Sequence, residues 1–449
     1  MKKALALFLA LLMTFALAAC ATTTPSSGQE EPAPAPAPAA EKPESPAALS
    51  EGAKKLTVWC WDPAFNIYAM NEAAKVYQQQ YPDFTLEVLE TSWDDLQTKV
   101  TTAATSNQLD TLPDIILMQD NAYQKNVINY PDLMLDITGS GIDFSQFAAA
   151  KTAYSVVNGK NYGVPFDNGT VITALRTDVL EQAGYKIEDF TDTTWDNFIA
   201  KAEDVLAKTG KPLLSSVAGQ PDLIMILLQS CGSSLFNTDG TPNIANNAEL
   251  KEVLRVYQAL VSKGILVEVN NWDEYIGTIV NETVAGTING CWILASIQSA
   301  QDQAGKWAIT NLPTLNTANA THYSNNGGSS WGIIANTKNK DLAIDFLKNT
   351  FAGSVPLYET ILPSSGALAT YLPAGASDVY AQPQAFFNGQ PIYATITEYA
   401  GKVPSNITGV YYYEARDAVG VALAGIMSGT DAATALTEAE SNVKFLMGQ

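Results

Sequence analysis

The chain of 449 residues contains a single histidine, His322. Imidazole-rich metal clusters and Ser-His-Asp relays both need more than that, so the sequence argues against either as its chemistry. Basic charge is also scarce: 25 Lys+Arg stand against 46 Asp+Glu, a net charge of -21. Nucleic acid and anionic lipid surfaces recruit clustered positive charge, and neither suits this balance. No glycine-rich phosphate loop occurs, and beyond the N-terminal segment no run of 18 apolar residues appears. What the chain does have is 47% hydrophobic and only 16% charged residues, the mark of a packed globular protein. One core rarely grows past about 250–300 residues, so two lobes are expected. Eight Trp and 19 Tyr suit a protein that recognises neutral, flat-faced ligands.

The first segment reads as an address. Lys2 and Lys3 precede an apolar run over residues 4–19, interrupted only by Thr14. Such a start is a secretory signal, too short to span a bilayer comfortably. It closes on Leu17-Ala18-Ala19-Cys20, which resembles the lipobox of bacterial lipoproteins. That resemblance implies cleavage after residue 19, a lipid on Cys20, and attachment to the extracellular face of the cytoplasmic membrane, in a Gram-positive cell. Residues 20–53 form the expected tether. Within it, Glu31-Pro32-Ala33-Pro34-Ala35-Pro36-Ala37-Pro38 favours extended polyproline II. Cys60, Cys231 and Cys291 are widely spaced in apolar contexts. Buried thiols are the expectation, with a Cys231–Cys291 disulfide left open.

Beyond the tether, Leu56-Thr57-Val58-Trp59-Cys60-Trp61 predicts a strand ended by Asp62-Pro63. Met70, Ala74 and Tyr77 mark a helix, and Thr85-Leu86-Glu87-Val88-Leu89 a second strand. Ser92-Trp93-Asp94-Asp95 has the form of a capping box opening a helix through Leu96, Val100 and Ala103. Ile115-Ile116-Leu117-Met118 gives a third strand, stopped by Gln119-Asp120-Asn121. This alternation predicts an α/β fold with an open parallel sheet. Later, Thr194 caps a helix carrying Trp195, Phe198, Ala202 and Val205, and another carries Leu250, Val253, Leu254, Tyr257 and Val261. Residues 285–294 read as a strand broken at Gly290, residues 341–350 as a short helix, and the stretch from Tyr411 as mostly helical.

Several ordered segments then carry a resemblance. They are Leu56-Thr57-Val58-Trp59, Leu112-Pro113-Asp114-Ile115-Ile116, Tyr162-Gly163-Val164-Pro165, and Thr194-Trp195-Asp196-Asn197-Phe198. Thr287-Ile288-Asn289-Gly290-Cys291-Trp292, Asn311-Leu312-Pro313 and Asn326-Gly327-Gly328 with Ala343, Phe346 and Leu347 follow. In this order the chain is similar to the extracellular solute-binding proteins of bacterial ABC transporters, in the sugar-binding group that includes maltose-binding protein. The resemblance implies a two-lobe periplasmic-binding-protein-like fold. Its discontinuous lobes are joined by a hinge, with the ligand cleft between them. Lobe 1 is expected over 54–165 and 328–372, lobe 2 over 166–327 and 373–449. It further implies a monomer that takes a carbohydrate, an oligosaccharide given the number of aromatics, and hands it to the transmembrane permease subunits of the transporter. No cofactor or metal is implied.

In an open α/β sheet the ligand sits outside the carboxyl ends of the strands. The first strand ends at Trp61 and Asp62, an indole for stacking and a carboxylate for hydroxyls; the alternatives are a core ring and a turn cap. Asp94 follows the second strand and Asp120 and Asn121 the third, each with helix capping as its alternative. By resemblance, Asp167 and Asn168 follow the first crossing, and Trp292 and Tyr412 offer stacking faces. Trp331, after the diglycine, is a further candidate.

Other classes fit the residues less well. Gly328-Ser329-Ser330-Trp331-Gly332 has the form G-x-S-x-G, but no histidine follows it. A glycosidase needs only two suitably spaced carboxylates and stays as a remote alternative. A peptide or polyamine ligand is the nearer one, since Asp62, Asp94, Asp120 and Asp167 are acids with aromatics beside them.

Overall fold

The computed structural model describes residues 54–449, except Ser405, Ile407 and the side chain of Ala150. The expected leader, Cys20 and the tether lie outside the described residues. Strands β1 (Lys55–Cys60), β2 (Thr85–Glu90) and β3 (Ile115–Gln119) alternate with helices α1 (Tyr68–Gln78) and α2 (Trp93–Thr105). β1 lies between β2 and β3 and is parallel to both. Side chains along a strand alternate faces, and the cores follow that rule. Ile115 and Leu117 join one buried cluster with Leu56, Val58 and Cys60, while Ile116 and Met118 join another with Leu96 and Val100. Helices therefore cover both faces. The sheet is not wholly parallel, because two later strands return through it. Asn325–Ile333 runs antiparallel to β3, and Val164–Arg176 antiparallel to Asn325–Ile333.

The 13-residue strand Val164–Arg176 serves two sheets. Its first part, through Thr170, pairs with Asn325–Ile333. Its second part, from Val171, pairs with Gly286–Gly290 and with Trp307–Thr310. Here too the faces alternate: Val171 and Leu175 enter one core, Ile172 and Ala174 another. The change of partner falls between Thr170 and Val171. Phe166 is still first-lobe core, packed on Trp331 and Phe351. At the waist the backbones nearly touch. A Cβ on Gly169 would lie 2.0 Å from the carbonyl oxygen of Asn326. Gly327 and Gly328 sit at φ 85° and 109°, a region L side chains rarely adopt.

The second lobe is built from helices over the second sheet and the parallel pair Leu214–Val217 and Leu266–Val269. Thr194 caps the helix Trp195–Thr209 by accepting from the Asn197 amide at 3.3 Å. Helices Tyr412–Met427 and Ala432–Leu446 complete its larger core. One expected strand is shorter than its sequence suggested. It ends at Gly290, and Trp292 is instead the N-cap residue of the helix Ile293–Ser299. The break expected at Gly290 is thus where the strand stops, and glycine suits the position, since a Cβ there would lie 2.3 Å from Trp292 Nε1. Cys60, Cys231 and Cys291 are free and buried, so the disulfide left open in the sequence is not formed. Burial raises the thiol of Cys291 far above its ordinary range.

Candidate ligand cleft

The end of β1 and the start of α2 place Trp61 and Trp93 edge to face, 5.5 Å apart. Ser92 caps α2 through the Asp95 amide at 3.2 Å, which exposes Asp94 in its first turn. Asp62 works locally: its Oδ1 accepts from the amides of Ala64 (2.9 Å) and Phe65 (3.0 Å). Burial nevertheless raises its carboxyl above the ordinary value.

Asp120 and Asp167 are not open to a ligand. Asp120 pairs with the ammonium of Lys151, both side chains 4% exposed. It also accepts from Ser330 Oγ at 3.1 Å. Asp167 accepts from Ser329 Oγ, and Lys151 donates to the Ser329 carbonyl at 2.9 Å. The cluster ties β3 and residue 151 to both crossing strands. Burial pushes the Asp120 carboxyl up to about 6, with the nearby Lys151 charge acting against it. Asp167 is raised for the same reason. Gly328 is the residue that admits this cluster, since a Cβ there would lie 2.5 Å from Asp120 Oδ2. The G-x-S-x-G segment is thus strand interior rather than a nucleophile elbow. Asn121 and Asn168 flank the cluster and are half-buried. Trp331 is a core ring between Phe166 and Phe351, with 0% exposure and no open face.

On the second lobe, a cavity opens at the end of Leu214–Val217. Its lining includes Ser216, Gln220, Asp222, Trp272, Tyr275 and Asn289. Trp272 is 40% exposed, an unusual position for so large a ring. It lies 5.6 Å from Trp292 and 5.0 Å from Tyr275 between ring centroids. Asp222 accepts from Arg416 at 2.6 Å. Burial works against the Arg416 charge, but Asp222 more than offsets it, so the guanidinium titrates higher than usual. Tyr412 is buried beside this pair, where its phenol is raised by burial.

Contacts between the lobes continue the aromatic line. Tyr413 lies 6.2 Å from Trp93 and 5.3 Å from Tyr412. Its hydroxyl donates to Gln119 Oε1 at 2.5 Å, and Lys125 pairs with Glu414. The rings Trp61, Trp93, Tyr413 and Tyr412 thus run from one lobe to the other. Trp272 lines the second-lobe cavity, with Trp292 beside it.

The geometry is that of two α/β lobes around a cleft with aromatic walls. A family model described as bacterial extracellular solute-binding protein matches residues 72–361. The chain belongs to this family. A lactose-binding protein of Rhizobium radiobacter is 38% identical over 378 residues, 84% of this chain and 89% of the relative. In fold, a Bifidobacterium animalis subsp. lactis ABC-transporter binding protein in complex with β-1,6-galactobiose is similar. It has TM-score 0.74 and 20% identity, covering 88% of this chain and 96% of that one. The maltose-bound MalE3 of T. maritima has TM-score 0.73 at 17% identity, covering 88% and 100%. These neighbours are two-lobe sugar-binding proteins, so the two-lobe fold expected from the sequence holds.

Sequence reading missed Trp272, Tyr413, Lys151 and the Asp222–Arg416 pair. Trp272 had one usable signal, a tryptophan straight after the capping residue Asn271, but its spacing to Tyr275, Ile276 and Ile279 reads equally as a core stripe. Lys151 had none.

Proposed function

We propose that this solute-binding protein captures a neutral disaccharide or short oligosaccharide between its lobes and delivers it to the permease subunits of an ABC importer. The observation that carries the reading is the second-lobe cavity. An exposed indole, Trp272, stands beside Trp292 above the hydroxyl- and amide-bearing side chains of Ser216 and Gln220. Aromatic faces suit the C–H faces of a sugar, and fixed polar groups suit its hydroxyls. The binding of lactose and β-1,6-galactobiose by the two relatives named above supports a galactoside as the first ligand to try. Trp61, Asp62, Asp94, Asn121, Asn168, Trp292 and Tyr412 remain the proposed contacts among the residues expected from the sequence. Asp120 and Asp167 act from beneath, holding the floor.

The same cluster argues against the polyamine reading, because two of its four acids are buried, Asp120 paired with Lys151 and Asp167 bonded to Ser329. It likewise removes these two carboxylates as a glycosidase pair, and the protein acts as a binder. It works as a monomer, held by lipid on Cys20 to the outer face of the cytoplasmic membrane of a Gram-positive cell. The lobes divide at the waist around Gly169 and Asn326. The test is calorimetric titration with lactose, galactobiose, maltose, arabino-oligosaccharides and spermidine. Binding of spermidine alone would overturn the carbohydrate reading.

A further inference from the structure

Asn289 lines the second-lobe cavity, yet its own polar atoms are taken. It is 5% exposed. Its Oδ1 accepts from the Gly290 amide at 2.9 Å and from Asn326 Nδ2 at 2.8 Å. Its Nδ2 donates to the Tyr275 hydroxyl at 3.0 Å, which in turn lies 2.5 Å from Thr287 Oγ1. Asn326 meanwhile accepts from Trp292 Nε1 on its backbone carbonyl at 2.9 Å. A side-chain amide with its oxygen and nitrogen both engaged has little left for a ligand. What it does is fix its neighbours. Through Tyr275 it holds one support of Trp272, and through Asn326 it reaches the strand that orients Trp292.

We propose that Asn289 is a positioning residue that sets the orientation of the Trp272–Trp292 pair and links it to the crossing strand. The inference rests on the reading of these indoles as the ligand platform. Asn326 directly precedes the glycines at positive φ, Gly327 and Gly328. Its carbonyl is the atom that excludes any side chain from Gly169 and, at 2.8 Å, helps exclude one from Gly290. Asn326 is held from two sides, its carbonyl by the Trp292 N–H and its side chain by Asn289. A change in the crossing moves the acceptor of the Trp292 N–H, and the network passes that displacement to Asn289 and Tyr275. Ligand on the platform and geometry at the waist then bias one another, as linkage requires. The network is buried, so losing one member leaves its partners unsatisfied.

The test uses Asn289→Ala and Asn326→Ala in the full chain. In ligand-free protein, both change the near-ultraviolet circular dichroism and tryptophan emission while the far-ultraviolet spectrum stays that of wild type. Asn289→Ala has the larger effect, because Asn326→Ala keeps the carbonyl that accepts from Trp292. Lactose affinity falls about tenfold for Asn289→Ala and less for Asn326→Ala. Asn289→Asp, which keeps the acceptor toward Asn326, recovers part of the loss. Unchanged aromatic spectra in both alanine variants, or wild-type lactose affinity in Asn289→Ala, would overturn the positioning role. If Asn289→Ala does not fold, the Asn326→Ala spectra decide. Wild-type protein that ignores lactose while the spectra still shift removes the galactoside reading and leaves the network standing.

Discussion

Replacing Lys125 by Met should loosen the two lobes. The Lys125 and Glu414 side chains are 34% and 22% exposed, between a free surface pair and a buried one. An exposed pair contributes on the order of 0.2–1 kcal/mol. Here the second carboxylate oxygen, Glu414 Oε2, is buried and has no partner, so the truncation strips the carboxylate of its remaining ally. Leaving a buried acceptor unsatisfied costs about 1–3 kcal/mol. Partial exposure puts the expected loss near 1–2 kcal/mol, or roughly 5- to 30-fold in the equilibrium between joined and separated lobes. Tyr413→Phe deletes only the hydroxyl bond to Gln119 and should cost about 1 kcal/mol. Small-angle scattering of ligand-free protein reads the effect without any sugar: the radius of gyration rises for Lys125→Met. It falls back for the exchanged pair Lys125→Glu with Glu414→Lys. High salt should shrink the difference between wild type and Lys125→Met. Scattering curves and ligand affinities identical to wild type in Lys125→Met would refute the reasoning.

Three further outcomes are expected. Trp272→Ala and Trp292→Ala should each lose on the order of 1–3 kcal/mol of ligand affinity by calorimetry. Trp272→Ala should leave the ligand-free melting temperature nearly unchanged, because the ring is already part-exposed; a large drop in melting temperature would assign it to the core instead. Cys20→Ser should release the protein from the membrane fraction or leave it unprocessed, and wild-type fractionation and gel mobility would dismiss the lipid anchor. Asp120, raised to about 6 in the fold, keeps a proton between about pH 4 and 6 that the unfolded chain has released. Its contribution to stability is therefore full below pH 4 and declines as pH rises to 6. Urea unfolding of wild type and Asp120→Asn across that range should show the difference between them shrinking, and a constant difference would contradict it.

Local pattern made the first lobe legible. The alternation of Ile115, Ile116, Leu117 and Met118 put a helix on each face, and Asp62-Pro63 and Thr194 marked boundaries by their own chemistry. The site was less legible because its groups are sorted by partners distant in sequence. Asp120 looks like a free strand-end carboxylate until Lys151, 31 residues away, is folded against it. Trp331 follows a diglycine like a cleft residue, yet pairing with Val164 and β3 seals it inside. Trp292 sits past the Gly290 break, where the chain turns into a helix rather than resuming the strand.

The central place of Asn325–Ile333 has a consequence for the order of synthesis. This strand lies between β3 and Val164–Arg176, so the first sheet stays split until residue 333 has been made. Domains generally fold as units while the chain emerges. In this chain, even the sheet that begins at Lys55 cannot close before about three quarters of the sequence exists. On the proposed exported route, that delay would keep the first sheet open while the chain is still being made.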